Sequence, residues 1–129
     1  MAFNLNSIML GSEDSKRLAD FYTKVLGEPQ PQWSDPANGW FGFQAGQGGL
    51  MIGPHSEVKG QNEQPARIMI NLETADVKGE FERIKGEGAD VVAEPYEPGG
   101  EASGMWMCTF ADPDGNYFQL TSPWSPESS

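Results

Sequence analysis

Two residue types with clear potential for chemistry occur once each in this chain, as His55 and Cys108. A facial triad of two histidines and a carboxylate cannot be assembled from one histidine, and a catalytic zinc site usually takes two or more His or Cys ligands. Pairing two copies would add only a second His55. No cofactor or metal is therefore expected, and His55 reads as a solvated loop residue. Cys108 lies in the run Met-Trp-Met-Cys-Thr-Phe with no basic neighbour to activate it, so it reads as a buried structural thiol. Asp14 and Asp76 stand just before helical patterns and read as caps rather than acids. No Ser-His-Asp set, phosphate loop or nucleotide fingerprint is present. What remains is soft and aromatic. Six methionines, four tryptophans and three tyrosines offer dispersion, stacking and cation-over-ring contacts. The inventory points to binding, and no residue is assigned a catalytic role.

The elements that position these residues come in a repeated order. Residues 5–10 read as a strand, and Ser12 or Asp14 can cap the helix that follows. Leu18, Phe21, Tyr22, Val25 and Leu26 recur at helical spacing, until Gly27, Pro29 and Pro31 stop it. Strand-like pieces follow at 30–34, 40–44 and 49–52, the first confined to a sheet edge because it contains Pro31. The order restarts with an alternating strand at 67–74. A helix from about Asp76 then buries Val77, Phe81 and Ile84, and strands follow at 89–93, 105–110 and 116–121. Each half reads β-α-β-β-β, and a shift of about 62 residues places Ser7 on Met69 and Asp14 on Asp76. A first module thus spans 4–53, a polar linker 54–65 and a second module 66–123. A tail at 124–129 should fray, unless Trp124 anchors it.

With 129 residues the chain can bury a sizeable core, and 37% hydrophobic content is ordinary for a globular protein. A net charge of −11 repels phosphate backbones, so no nucleic-acid partner is expected. There is no membrane-length apolar run, and residues 1–6 lack the basic and apolar regions of a secretory signal. One cysteine cannot form an intrachain disulfide, which fits a reducing cytoplasm.

Three segments carry a resemblance. The first is Asp14 followed by Phe21-Tyr22-Thr23-Lys24-Val25-Leu26-Gly27. The second is Asn71-Leu72-Glu73-Thr74-Ala75-Asp76-Val77 leading into Phe81-Glu82-Arg83-Ile84-Lys85. The third is Phe110-Ala111-Asp112-Pro113-Asp114-Gly115-Asn116-Tyr117-Phe118-Gln119-Leu120. In this order they resemble the vicinal oxygen chelate superfamily, which contains glyoxalase I, extradiol dioxygenases and bleomycin-resistance proteins. The third segment also has a purely local reading as a turn, with Pro113 presetting φ and Gly115 free to take a positive φ.

The resemblance implies an α+β fold of two βαβββ modules whose curved mixed sheets enclose a cavity. It also implies a homodimer, with cavities formed within or between subunits. Strand parity then turns Ile8, Leu10, Leu50, Ile52, Ile68, Ile70, Leu72, Phe118 and Leu120 toward the helices. Ser7, Met9, Met51, Met69, Asn71, Tyr117 and Gln119 face the cavity, and Trp33, Trp40 and Trp106 join them as ligand-binding candidates. The family's metal positions map onto Ser7, Met51, Met69 and Gln119, none a good ligand for a divalent ion. The implied function is metal-independent binding of a small aromatic or cationic molecule, such as sequestration of an antibiotic. The alternative is a lyase, isomerase or dioxygenase of the same superfamily, using a non-standard metal site or no metal.

Overall fold

Two strand-to-helix junctions 62 residues apart are built by the same local device. At the first, Ser12 Oγ accepts the Asp14 N–H (3.0 Å), and the Asp14 carboxylate accepts the Arg17 N–H (3.1 Å). At the second, Thr74 Oγ1 accepts the Asp76 N–H (3.2 Å), and the Asp76 carboxylate accepts the Gly79 N–H (3.0 Å). Each aspartate satisfies a helix-end donor that would otherwise lack a partner. The computed structural model describes residues 2–123, and the chain divides into two compact units, Met1–Gln61 and Asn62–Ser129.

Unit 1 contains β1 (Ser7–Ser12), α1 (Ser15–Leu26), β2 (Phe41–Ala45) and β3 (Gly48–Pro54). Its mixed sheet has the order β1-β3-β2, with β1 parallel and β2 antiparallel to β3. Leu18, Ala19, Tyr22 and Val25 form the buried stripe of α1, while Phe41, Phe43, Leu50 and Ile52 supply the sheet's buried residues. Registers of Leu50 with Ile8 and Phe43, and of Ile52 with Leu10 and Phe41, keep these residues on one face.

Unit 2 contains β4 (Ile70–Glu73), α2 (Val77–Gly86), β5 (Asp90–Tyr96), β6 (Met107–Ala111) and β7 (Tyr117–Thr121). Its order is β4-β7-β6-β5, with β4 parallel to β7 and the other pairs antiparallel. Val77, Phe81 and Ile84 of α2 are buried, as are Ile70, Cys108, Phe110, Phe118 and Leu120 of the sheet. Phe81, Phe110 and Phe118 stack in series at centroid spacings of 5.3 and 5.4 Å. β5 takes Pro95 within its span because it is an edge strand, and its pairing with β6 is irregular around Ala93.

Two expectations need correction. Residues 30–34 do not form a strand; Pro31–Trp33 is a 3-10 turn. Pro31 has no N–H to give to a ladder, and the segment is held at the β2 edge otherwise. Gln30 N–H donates to Gly42 O (2.7 Å), and Gly42 N–H donates to Ser34 Oγ (3.0 Å). Among the described residues unit 1 therefore has three strands, not four. Next, β4 begins at Ile70 rather than residue 67, which leaves Ile68 73% exposed rather than facing a helix. The chain turns before it, where Arg67 N–H donates to Gln64 O (3.1 Å).

The polar stretch at 54–65 is tied down at two points. Gly60 N–H donates to Glu13 Oε1 (2.9 Å), and Asn62 N–H donates to Asp114 O (2.8 Å). The tail at 124–129, with Trp124, lies outside the described residues.

Candidate ligand-binding faces

The face of the unit 1 sheet opposite its apolar set is floored with glycine. Strand parity puts Ser7, Met9 and Gly11, Gly49, Met51 and Gly53, and Gly42 and Gln44 on it. Met9, Met51 and Gly42 form one cross-strand row. Two tryptophans lie against the gaps the glycines leave. A β-carbon on Gly42 would stand 2.6 Å from Trp33 Cβ and 3.0 Å from Met51 Sδ, and one on Gly53 would stand 2.2 Å from Trp40 Cε3. The loop carrying Trp40 is closed by an Asp35–Trp40 bridge, and its Gly39 carbonyl accepts from Ser15 Oγ (2.8 Å). Met9 is 46% and Trp33 41% exposed, while Ser7, Trp40 and Met51 are half-buried. Soft sulfur and indole surface thus faces outward from a rigid floor.

The corresponding row of unit 2 is polar. Asn71, Gln119 and Thr109 are register partners across β4, β7 and β6. Gln119 is buried and its Nε2 donates to Thr109 Oγ1 (3.0 Å), which fixes the direction of the amide. Asn71 is exposed; Met69, one residue before β4, and Tyr117 are half-buried. Tyr117 lines a cleft of about 450 Å³ with Gln64, Pro65, Ala66 and Arg67.

Trp106 does not join this set. It lies just before β6, where its pairing with Ser122 continues the β6–β7 register and gives it the parity of Cys108 and Phe110, and the ammonium of Lys78, on α2, sits 3.7 Å from its ring centroid. It serves the helix side of the sheet. Cys108 is fully buried, and burial raises its thiol pKa above the ordinary 9.0, partly offset by a backbone hydrogen bond involving Leu120. His55 is exposed and its Nδ1 accepts the Glu57 N–H (3.1 Å) in a local turn. Asp112 is buried within the turn before β7. Its Oδ1 accepts the N–H groups of Asp114 and Asn116 (both 2.9 Å), and Gly115 takes a φ of 81°. That segment is turn chemistry.

Residues 7–121 match the model of the glyoxalase-like domain. The chain belongs to that family. The anthracycline biosynthesis protein DauV of Streptomyces sp. strain C5 is 29% identical over 123 residues, 86% of this chain but only 44% of DauV. TioX from Micromonospora sp. ML1 aligns with a TM-score of 0.71 at 20% identity, covering 93% of this chain and 98% of that one. A glyoxalase/bleomycin resistance protein/dioxygenase family enzyme from Burkholderia phytofirmans PsJN aligns with a TM-score of 0.71 at 18% identity and the same coverage. These structural likenesses establish the glyoxalase/bleomycin-resistance fold.

The metal positions implied by membership of this glyoxalase-like family do not fit a divalent ion here. Unit 1 offers the Ser7 hydroxyl and the Met51 thioether; unit 2 offers the Met69 thioether and the Gln119 amide, already committed to Thr109. Among the described residues, no three of His, Cys, Asp or Glu are grouped closely enough to hold a metal ion. No described helix is long and apolar enough to cross a membrane.

Sequence reasoning missed the glycines. Gly49 and Gly53 flank Met51 at period two, and that alternation was the available signal. It also missed Arg67 and Thr109, whose roles depend on a turn and on a cross-strand register.

Proposed function

We propose that this glyoxalase-like protein binds a flat aromatic small molecule, cationic forms included, without using a metal. The observation that carries this is the glycine-floored face of unit 1, where Met9, Met51, Trp33 and Trp40 present soft and aromatic surface. Glycines let the indoles lie close to the backbone, so a planar ligand would meet ring faces and thioethers rather than a packed side-chain layer. The polar groups of Ser7 and Gln44 on the same face would orient it. An excess of acidic over basic residues, 19 against 8, favours a cationic group on that ligand.

The DauV name connects that relative with anthracycline biosynthesis. Anthracyclines are flat polycyclic aromatics with an amino sugar, a chemistry suited to this face. Isothermal titration with the anthracycline doxorubicin tests the reading. Saturable binding that weakens about tenfold in Trp33→Ala is expected, from the loss of one stacking partner. The absence of binding across a panel of cationic polycyclic aromatics would overturn it.

A further inference from the structure

The cleft in unit 2 is lined by one cationic side chain, Arg67. Gln64-Pro65-Ala66-Arg67 is a turn in which Arg67 N–H donates to Gln64 O (3.1 Å), and Pro65 presets its first corner. Asn62 anchors the turn on one side. Its Oδ1 accepts the Gln64 N–H (2.9 Å), and its Nδ2 donates to Asn116 Oδ1 (2.9 Å). Asn116 is in turn held by the buried Asp112, whose Oδ2 accepts from Asn116 Nδ2 (3.0 Å). A hydrogen-bonded path therefore runs from a buried carboxylate to the base of Arg67.

The guanidinium itself is oriented by one acceptor. Arg67 Nε and Nη2 both donate to Gln64 Oε1. This occupies the side of the fork and leaves the end, formed by Nη1 and the second N–H of Nη2, unused. No described carboxylate is paired with Arg67, although the chain carries 19 acidic residues. Tyr117 adds an aromatic wall to the same cleft, and its hydroxyl makes no bond to any described residue. The cleft, about 450 Å³, is broadly open to solvent, so a ligand there keeps one side in water.

We propose that this cleft binds the carboxylate of a small organic acid, end-on at Arg67, with the acid's apolar body against Tyr117. An end-on guanidinium can take both oxygens of a carboxylate at once, and the Gln64 clamp removes much of the freedom that such a bond would otherwise cost. The site uses no residue of the unit 1 face, so it stands or falls separately from aromatic binding there.

Titration of the intact chain with benzoate and with benzamide, followed by amide NMR shifts, tests the proposal. Benzoate is expected to shift Arg67 and Tyr117 in a saturable way, with at least about tenfold weaker binding for the neutral benzamide and for Arg67→Gln. Added salt should weaken benzoate alone. Absence of benzoate binding, equal binding of benzamide, or an unchanged affinity in Arg67→Gln would each overturn it. Because Arg67 is exposed, the variant is expected to keep the native amide spectrum outside the cleft. A global change in that spectrum would contradict the described position of Arg67 at the cleft surface.

Discussion

Gly42 lies directly beneath Trp33: a β-carbon at Gly42 would stand 2.6 Å from Trp33 Cβ and 2.8 Å from the Trp33 carbonyl oxygen. The same glycine accepts from Gln30 N–H and donates to Ser34 Oγ, so both its backbone groups and its missing side chain hold the 3-10 turn against β2. Gly42→Ala is expected to destabilise the fold by about 1–3 kcal/mol, the usual cost of overpacking, because the intruding atom meets backbone rather than a flexible side chain. Chemical denaturation measures this directly. Unchanged stability would show that the turn is not seated there.

Cys108 gives a prediction about pH. Its pKa is raised in the fold, chiefly by burial. Below the ordinary thiol value of 9.0 the group is protonated in both folded and unfolded chains and contributes no pH dependence. As pH rises past that value, the unfolded chain can release the proton while the folded chain resists, so stability falls until the raised folded pKa is passed. Urea unfolding at several alkaline pH values should show this decline in the native protein and a shallower one in Cys108→Ala. In native buffer near neutral pH, alkylation by iodoacetamide should wait for unfolding; rapid stoichiometric labelling would contradict the burial.

Elemental analysis separates the binding reading from catalysis at a non-standard metal site. Ser7, Met51, Met69 and Gln119 supply no charged ligand. Protein purified without added metal is expected to carry far less than one equivalent of Fe, Mn, Ni or Zn. Stoichiometric metal that survives dialysis would overturn the donor assignment.

The parts of the fold set by local rules were the legible ones. Asp14 and Asp76 act as caps, as their positions before helical patterns indicate, and the period-two assignment of Leu50, Ile52, Phe118 and Leu120 agrees with the observed registers. The turn at Asp112–Asn116 also follows from its residue types. Illegible parts depended on contacts distant in sequence. Pro31 and Ser34 could be known as poor strand formers, but not that Gly42 would receive them. Composition does not distinguish Trp106 from Trp33 and Trp40; its place just before β6, with Lys78 over its ring, does. The alternation at 67–74 places Arg67 in a strand, and nothing local signals the turn that makes it a cleft residue.

A flat aromatic ligand bound as proposed rests on the face of the unit 1 sheet that carries Met9 and Met51. Selective carbon-13 labelling of the six methionine methyl groups reports on it directly, because a ring stacked over a thioether shifts its methyl resonance. Titration with doxorubicin is expected to move the Met9 and Met51 methyl signals together and saturably, assigned with Met9→Leu and Met51→Leu. Saturable binding that leaves both signals in place would contradict the account.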